Sequence, residues 1–439
     1  MAKSKIDKIL TPVNKFIHQE FTSGIVLFAS VLAAIIWVNS SHSHSYHHTW
    51  DTKMAVGFAN FTFSQPLHIW INDGLMALFF FVIGLELKRE FMAGELSNIK
   101  KASLPMMAAL GGMLVPAFIY FLFNYNSDSQ SGWGIPMATD IAFALALLSL
   151  AGNHIPGSVK VFLSALAVAD DLGAVLVIAF FYTAQIYLGY LIAAAALLGL
   201  LVLGNLLGVR STFFYLLVGI AVWTCFLFSG VHATIAGVLV AFTIPARTKI
   251  KETEYIDQVT KYTKEFEEAI PLNGPLMTAD QHIIIEKIKK LSQDAETPLQ
   301  KIEYAMHPWV AFIIMPLFAL SNSGMVIGGD FFTAIINPVS LGVAAGLVFG
   351  KLAGVILFTW LMVRMRLSDL PEGANWKHIF GVALLAGVGF TMSLFIAGLA
   401  FQQETLIENA KYGILLASVL SGVGGILYLR RLRGEFAES

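Results

Sequence analysis

The chain has 439 residues, 56% of them hydrophobic and 13% charged, with a formal net charge of -1. Soluble domains carry roughly 25% charged residues, so this composition excludes an ordinary soluble globule, and the balanced charge offers nothing to a nucleic acid. The single cysteine, Cys225, sits in an apolar run, which excludes a disulfide or a thiolate zinc site built within the chain.

The N-terminus, MAKSKIDKILTPVNKF, is basic and leads into an apolar stretch that imitates a signal peptide. That stretch is too long and too often repeated downstream for a cleaved leader, so it reads as the first membrane span. A crossing helix needs about 20 mostly apolar residues. On that criterion the spans fall at 16–38, 66–87, 102–123, 135–150, 158–182, 188–207, 212–228, 230–245, 308–323, 338–363, 376–401 and 410–429. The fold class is therefore an all-α integral membrane protein of about twelve helices. The segment after the first span, residues 39–65, is polar and carries SHSHSYHH (His42, His44, His47, His48), which reads as a solvated external loop in preference to a metal site.

Lys and Arg set the orientation. They fall at Lys3, Lys5 and Lys8, at Lys88, Arg89, Lys100 and Lys101, at Lys160 and Arg210, throughout 247–301, at Arg364, Arg366 and Lys377, and at Arg430, Arg431 and Arg433. The intervening loops around residues 124–134, Gln185, Ser229 and Asp330 carry none, with Lys53 and Lys411 as exceptions. Both termini are accordingly expected in the cytoplasm. The long charged segment divides the chain into a membrane part (1–245), a cytoplasmic helical insertion (246–306) and a second membrane part (307–439). Within the insertion, Ile256, Val259, Phe266 and Ile270 repeat at helical spacing, Pro271 and Gly274 interrupt, and Thr278 with Gln281 forms a capping box before Ile284, Ile288 and Leu291.

Four ionisable residues lie at bilayer depth: Asp140 in the fourth span, Asp170 and Asp171 in the fifth, and Lys351 in the tenth. Each costs about 2.5–3.5 kcal/mol at a helix centre, roughly 10–14 kcal/mol in all unless paired or hydrated. A buried ion pair that merely fixes packing needs equal charges, yet three carboxylates face one ammonium. The surplus acid must bind a proton, water or a cation, and carboxylate and hydroxyl oxygens suit a hard ion such as Na+ or Li+. Adjacent aspartates point about 100° apart on a helix, so one can face Lys351 while the other faces a hydrated cavity.

Two spans look interrupted. Pro136 in Gly134–Asp140 lacks an N–H, and in the eleventh span Gly387 and Gly389 precede Thr391. Thr139-x-x-x-Phe143 and Thr391-x-x-x-Phe395 occupy comparable places in the two halves, a pattern of discontinuous helices from inverted-topology repeats that cross near the midplane.

At these residues the chain resembles the NhaA-type bacterial sodium/proton antiporters. The matching stretches are INDGLMALFFFVIGLELKREF, ATDIAFALALL, FLSALAVADDLGAV, SGVHATIAGVLVAF, HPWVAFIIMPLFALSNSG, GLVFGK and GVGFTMSLFIAGLAF, in family order. The resemblance implies a transporter of the bacterial inner membrane, without cofactor, that exports Na+ or Li+ in exchange for H+. It implies that Asp170 and Asp171 carry ion and protons, that Lys351 pairs with Asp170, and that Thr139 and Asp140 sit where the broken helices cross. An aspartate in both positions resembles the electrogenic branch, which exchanges two protons for one sodium. Glu86, Arg89, Glu90, Glu303 and His307 match positions tied to pH regulation, as does His232, and Asp73 recurs in the family motif. The family also forms homodimers through a small hairpin in the first external loop. The insertion is longer than the usual connection in that family.

Other classes fit less well. A sodium-coupled symporter of an organic acid needs a basic or aromatic solute pocket that the sequence does not display, and a sodium channel needs no tie to protons. An intramembrane aspartyl protease needs two carboxylates sharing a proton, which Lys351 between them opposes.

Overall fold

The computed structural model describes residues 20–58, 61–152, 154–183, 186–269, 276–328 and 335–436. Lys3, Lys5, Lys8, Gln185, Ile270, Pro271, Gly274 and Asp330, and the start of the first expected span, lie outside these residues.

The apolar runs of the sequence are helices throughout. Helix α1 (Glu20–Val38) turns through 115° into the short helix α2 (Ser43–Asp51). A two-stranded antiparallel hairpin follows, β1 (Lys53–Phe58) with β2 (Phe61–Pro66), paired from Lys53 opposite Pro66. Then come α3 (Met76–Ala93), α4 (Ile99–Phe123), α5 (Ile141–Ala151), α6 (Gly157–Phe181), α7 (Leu188–Leu206), α8 (Thr212–Ser229) and α9 (Thr234–Thr243). Helices α10 (Glu252–Glu268) and α11 (Ala279–Ala295) form the charged hairpin. Helices α12 (Pro298–Trp309), α13 (Met315–Asn322), α14 (Pro338–Ala345), α15 (Lys351–Arg364), α16 (Trp376–Ala386), α17 (Phe390–Ala400) and α18 (Glu404–Phe436) complete the bundle.

Three expectations need correction. The His-rich segment is not a loop: Ser43–Asp51 is helical, with Tyr46 and Trp50 buried, and Tyr46 donates to the Leu320 and Ser321 carbonyls at 2.8 Å. Aromatic residues at i and i+4 give this polar stretch one packing face. The ninth span begins at Pro298 in place of residue 308, because the helix runs through Pro308 and absorbs its missing N–H in a wide turn over Val310–Ile314. The eighth span holds only the ten-residue helix α9. At 1.5 Å per residue it is about half the length of a bilayer core of ~30 Å. Among the described residues nine helices are long and apolar enough to cross a membrane, or eleven if each of two bent pairs counts once, so a tally of twelve is not reached on length and composition.

Close helix contacts bring the charged residues together. Helices α4 and α15 cross at Gly111 and Gly354, where a Cβ on either glycine would collide with the other's carbonyl group. This approach is open only to residues without side chains. It places Lys351, at the start of α15 and just after a wide turn over Gly346–Gly350, beside Gly112 and within reach of α6. The charged hairpin carries the expected capping box at Thr278 and Gln281, and buries Ile284 and Leu291. It leaves and rejoins the bundle at one point, where Lys249 N–H donates to the Asp294 carbonyl at 3.0 Å.

Candidate ion-binding site

The fourth span is a 3-10 helix over Gln130–Met137, an extended step at Ala138, and then α5. The eleventh is α16, a break at Gly387–Gly389, and α17, bent by 45°. Pro136 and the two glycines account for these interruptions, and the freed backbone groups need partners, since an unsatisfied amide in hydrocarbon costs several kcal/mol. Two come from the opposite broken span and a third from α18. Asp140 N–H donates to Val388 O at 2.8 Å, Ser393 Oγ donates to Ile135 O at 2.9 Å, and Phe390 N–H donates to Ser418 Oγ at 3.3 Å.

Asp140 caps two helices at once. Its carboxylate accepts from Phe143 N–H of α5 at 3.1 Å, from Thr391 N–H of α17 at 3.2 Å, and from the Thr391 hydroxyl. The positive ends of both half-helices therefore converge on one anion. The Thr139 hydroxyl lies 2.9 Å from the carbonyl oxygen that ends α16, Ala386 O, and 2.7 Å from Asp170 Oδ2. Thr139 thus ties the crossing to α6.

On α6 the adjacent aspartates have different surroundings. Asp170 Oδ2 is paired with the Lys351 ammonium, both side chains being fully buried. Asp170 Oδ1 and both oxygens of Asp171 are buried without a hydrogen-bond partner in the protein. Three carboxylate oxygens and a hydroxyl in one fully buried cluster make a donor set for a hard monovalent cation or for protons, and too few fixed ligands for a closed metal site. Among the described residues no group of three or more His, Cys, Asp or Glu side chains is placed to hold a resident metal.

A cavity of about 380 Å³ approaches this cluster between α1, α3, α5, α6 and α12. Its inner wall includes Ile141 and Ala142, directly after Asp140, and Val168, one turn before Asp171. Glu86, Arg89, Glu90, Glu303 and His307 all line it. Arg89 pairs with Glu303, and with Glu90 at 3.2 Å. The regulatory candidates of α3 and α12 are therefore neighbours, although more than two hundred residues separate Arg89 from Glu303 in sequence. His232 is elsewhere: it lies between α8 and α9, with Nε2 2.9 Å from Tyr182 O. Asp73 sits in the wide turn over Trp70–Leu75, where its carbonyl accepts from Trp223 Nε1 at 3.1 Å.

Several participants were not read from the sequence. Ser393 and Ser418 hold the eleventh-span break, and Ser164 lines the cavity. Ser393 carried a signal, two residues after Thr391 in a stretch with two glycines, whereas Ser418 is one of many small residues on α18. Lys88 donates to Phe242 O and Ile244 O at the end of α9, so its charge serves a helix C-terminus.

Comparison with known proteins agrees along the whole chain. The profile described as Na+/H+ antiporter 1 matches residues 14–429. The chain is 48% identical to the Na(+)/H(+) antiporter NhaA of Oleidesulfovibrio alaskensis over 439 residues, covering 100% of this chain and 98% of that protein. It is 47% identical to Na(+)/H(+) antiporter NhaA 2 of Syntrophotalea carbinolica over 96% of each chain, and 47% identical to the NhaA of Acidithiobacillus ferrooxidans over 96% and 97%. With its crossed broken helices and paired aspartates, this chain belongs to the Na+/H+ antiporter 1 family.

Proposed function

We propose that the protein exchanges Na+, or Li+, for H+ across the bacterial inner membrane, with Asp170 and Asp171 as the alternating carriers of cation and protons. The observation that carries this reading is Asp171: a carboxylate buried in a membrane helix, with neither oxygen bonded to the protein, beside a second carboxylate held on one side only. An ionised group in that position is costly, so it needs a proton or a cation at all times, and the two compete. Cation arrival through the Glu86–Glu303 cavity expels protons; release on the far side lets protons return. Two carboxylates support two protons per Na+, which makes the exchange electrogenic and couples it to voltage at about 2.3 kcal/mol per 100 mV per charge.

Lys351 balances Asp170 while the site is empty of cation, and Asp140 with Thr139 keeps the crossing of the half-helices in register. The Glu86, Arg89, Glu90, Glu303 and His307 group borders the entry route, and a change in its protonation alters the field met by an arriving cation, which is the basis assigned here for pH regulation. The β1–β2 hairpin supports a homodimer, and the basic rims support cytoplasmic termini, with residues 246–306 as a cytoplasmic insertion. The reading is of a transporter, in keeping with the antiporter names of the proteins this chain matches.

The test is transport by the purified protein in liposomes holding a pH-sensitive dye. Under an imposed proton gradient, NaCl and LiCl should relax the dye signal and KCl should not, and clamping the membrane potential should change the rate. Absence of any cation-dependent relaxation from mildly acidic to alkaline pH would sink the exchange reading.

A further inference from the structure

The cytoplasmic arm of the second broken helix starts with an unusual cap. A capping box pairs an N-cap side chain with the residue three positions on, normally Glu or Gln, whose side chain accepts from the N-cap N–H. In α16 the N-cap is Asn375 and the third residue is His378. Asn375 Oδ1 accepts from His378 N–H at 3.0 Å, and Asn375 N–H donates to His378 Nδ1 at 3.2 Å. The box is complete, but one acceptor is an imidazole nitrogen that can be protonated. His378 is only 2% exposed, so water does not readily replace a lost bond.

We propose that His378 is a proton-operated positioning residue: neutral, it completes the cap that seats α16; protonated at Nδ1, it loses that bond and unseats the cytoplasmic arm, slowing exchange at acid pH. Protonation removes the only lone pair that can accept from Asn375 N–H, because both nitrogens of imidazolium are donors. It also sets a positive charge on the positive end of a helix. The surrounding charges do not relieve it. His154, before α6, acts on His378 electrostatically, with its own Nε2 2.9 Å from Leu429 O. The elements packed against α16 are α5, α6, α15 and α18. Helix α5 carries no charged side chain; the others bring Lys160, Arg364, Arg430 and Arg431 at their cytoplasmic ends, and Tyr428 of α18 lies against Phe380. Lys377 adjoins His378 on α16, Asp170 and Asp171 lie further along α6 and Lys351 begins α15, and the acids Asp369 and Glu372 belong to the preceding loop.

The consequence reaches the ion site along a short, stiff path. Helix α16 spans eleven residues, and its far end supplies Ala386 O to Thr139 and leads to Val388 O, which accepts from Asp140 N–H. An arm loosened at Asn375 loses its hold on the crossing that Thr139 and Asp140 organise.

The proposal rests on the exchange reading for its transport consequence, while the cap itself can be measured without transport. Hydrogen exchange of the full-length protein over residues 375–386 should quicken by up to about fivefold, the usual worth of a cap, as the pH falls from about 8 to about 4.5, after correction for intrinsic rates. In His378→Gln, which keeps an acceptor that does not titrate, this acceleration should vanish. In liposomes, His378→Gln should match the wild type at alkaline pH and retain more exchange at acid pH, and His378→Ala should be slow at all pH values. Equal pH dependence of protection in wild type and His378→Gln would overturn the cap, and equal pH profiles of exchange would overturn its role in transport. Wild-type protein with the expected protection change but no exchange at any pH would instead refute the exchange reading and leave the cap standing.

Discussion

Two clusters of charged residues, one at the crossing of the broken helices and one at the cavity mouth, are built on different principles. At the crossing, Asp140, Asp170, Asp171 and Lys351 are all at most 1% exposed and carry three acids against one base. At the mouth, Arg89 keeps 36% of its side chain exposed and shares its charge between Glu90 and Glu303. Water reaches Arg89 and Glu90 at the mouth and screens them, so that exposed pair can be rearranged at modest cost, whereas Glu303, only 3% exposed, relies on Arg89 for its balance. The crossing has no such screen, and an unpaired carboxylate there is costly unless it takes up a proton or a cation. On the proposed reading the same residue types serve as cargo sites in one region and as a tunable field in the other, and the difference in burial separates the two.

The largest effects should come from the crossing. Asp171→Asn should abolish Na+-dependent dye relaxation in liposomes at every pH while circular dichroism and detergent stability stay unchanged; full activity would remove Asp171 from the carrier role. Lys351→Ala should lower stability by about 3–5 kcal/mol by leaving Asp170 as an uncompensated buried charge. Thermal unfolding of the double variant Lys351→Ala/Asp170→Asn should recover much of that loss. A double variant as unstable as the single one would mean that packing, and not charge, was lost.

Between the two regions in expected size lies the helix contact that carries Lys351 inward. Gly354→Ala forces α15 away from the Gly111 carbonyl, and overpacking of this kind costs about 1–3 kcal/mol. Exchange should fall with stability, since the Lys351–Asp170 pair depends on that approach. At the mouth, Glu303→Gln should leave the fold and the maximal rate intact and displace the pH profile by about one unit, the scale of a single altered charge contact. An unmoved profile would make the Arg89–Glu303 pair structural only.

The smallest effect is expected from the charged hairpin of α10 and α11. Because Lys249 N–H meets Asp294 O, residues 250–293 can be excised there and bridged by a short Gly/Ser linker with little disturbance. Exchange should persist. If the pH profile also stays in place, the insertion does not regulate the transporter.

The sequence by itself determined the helical membrane fold, the interruptions at Pro136 and at Gly387–Gly389, and the identity of the buried charges. Each follows from a local cause: a run of apolar residues long enough to satisfy its own backbone, a proline or glycine that breaks it, and a carboxylate or ammonium too costly to leave in lipid without a use. Long-range chemistry was legible only where charge had to balance, so Lys351 could be matched to an aspartate across 181 positions of sequence. What only the tertiary structure decided was partnership without such a constraint. That one carboxylate, Asp140, caps both α5 and α17, that Thr139 bridges α16 and α6, and that Arg89 reaches Glu303 all depend on helix crossings set by close-packed small residues. Small residues recur throughout these helices and do not announce which neighbour they admit. The eighth span and the His-rich helix went astray for the same reason, since hydropathy measures how a segment meets lipid or water and not what the surrounding protein offers it.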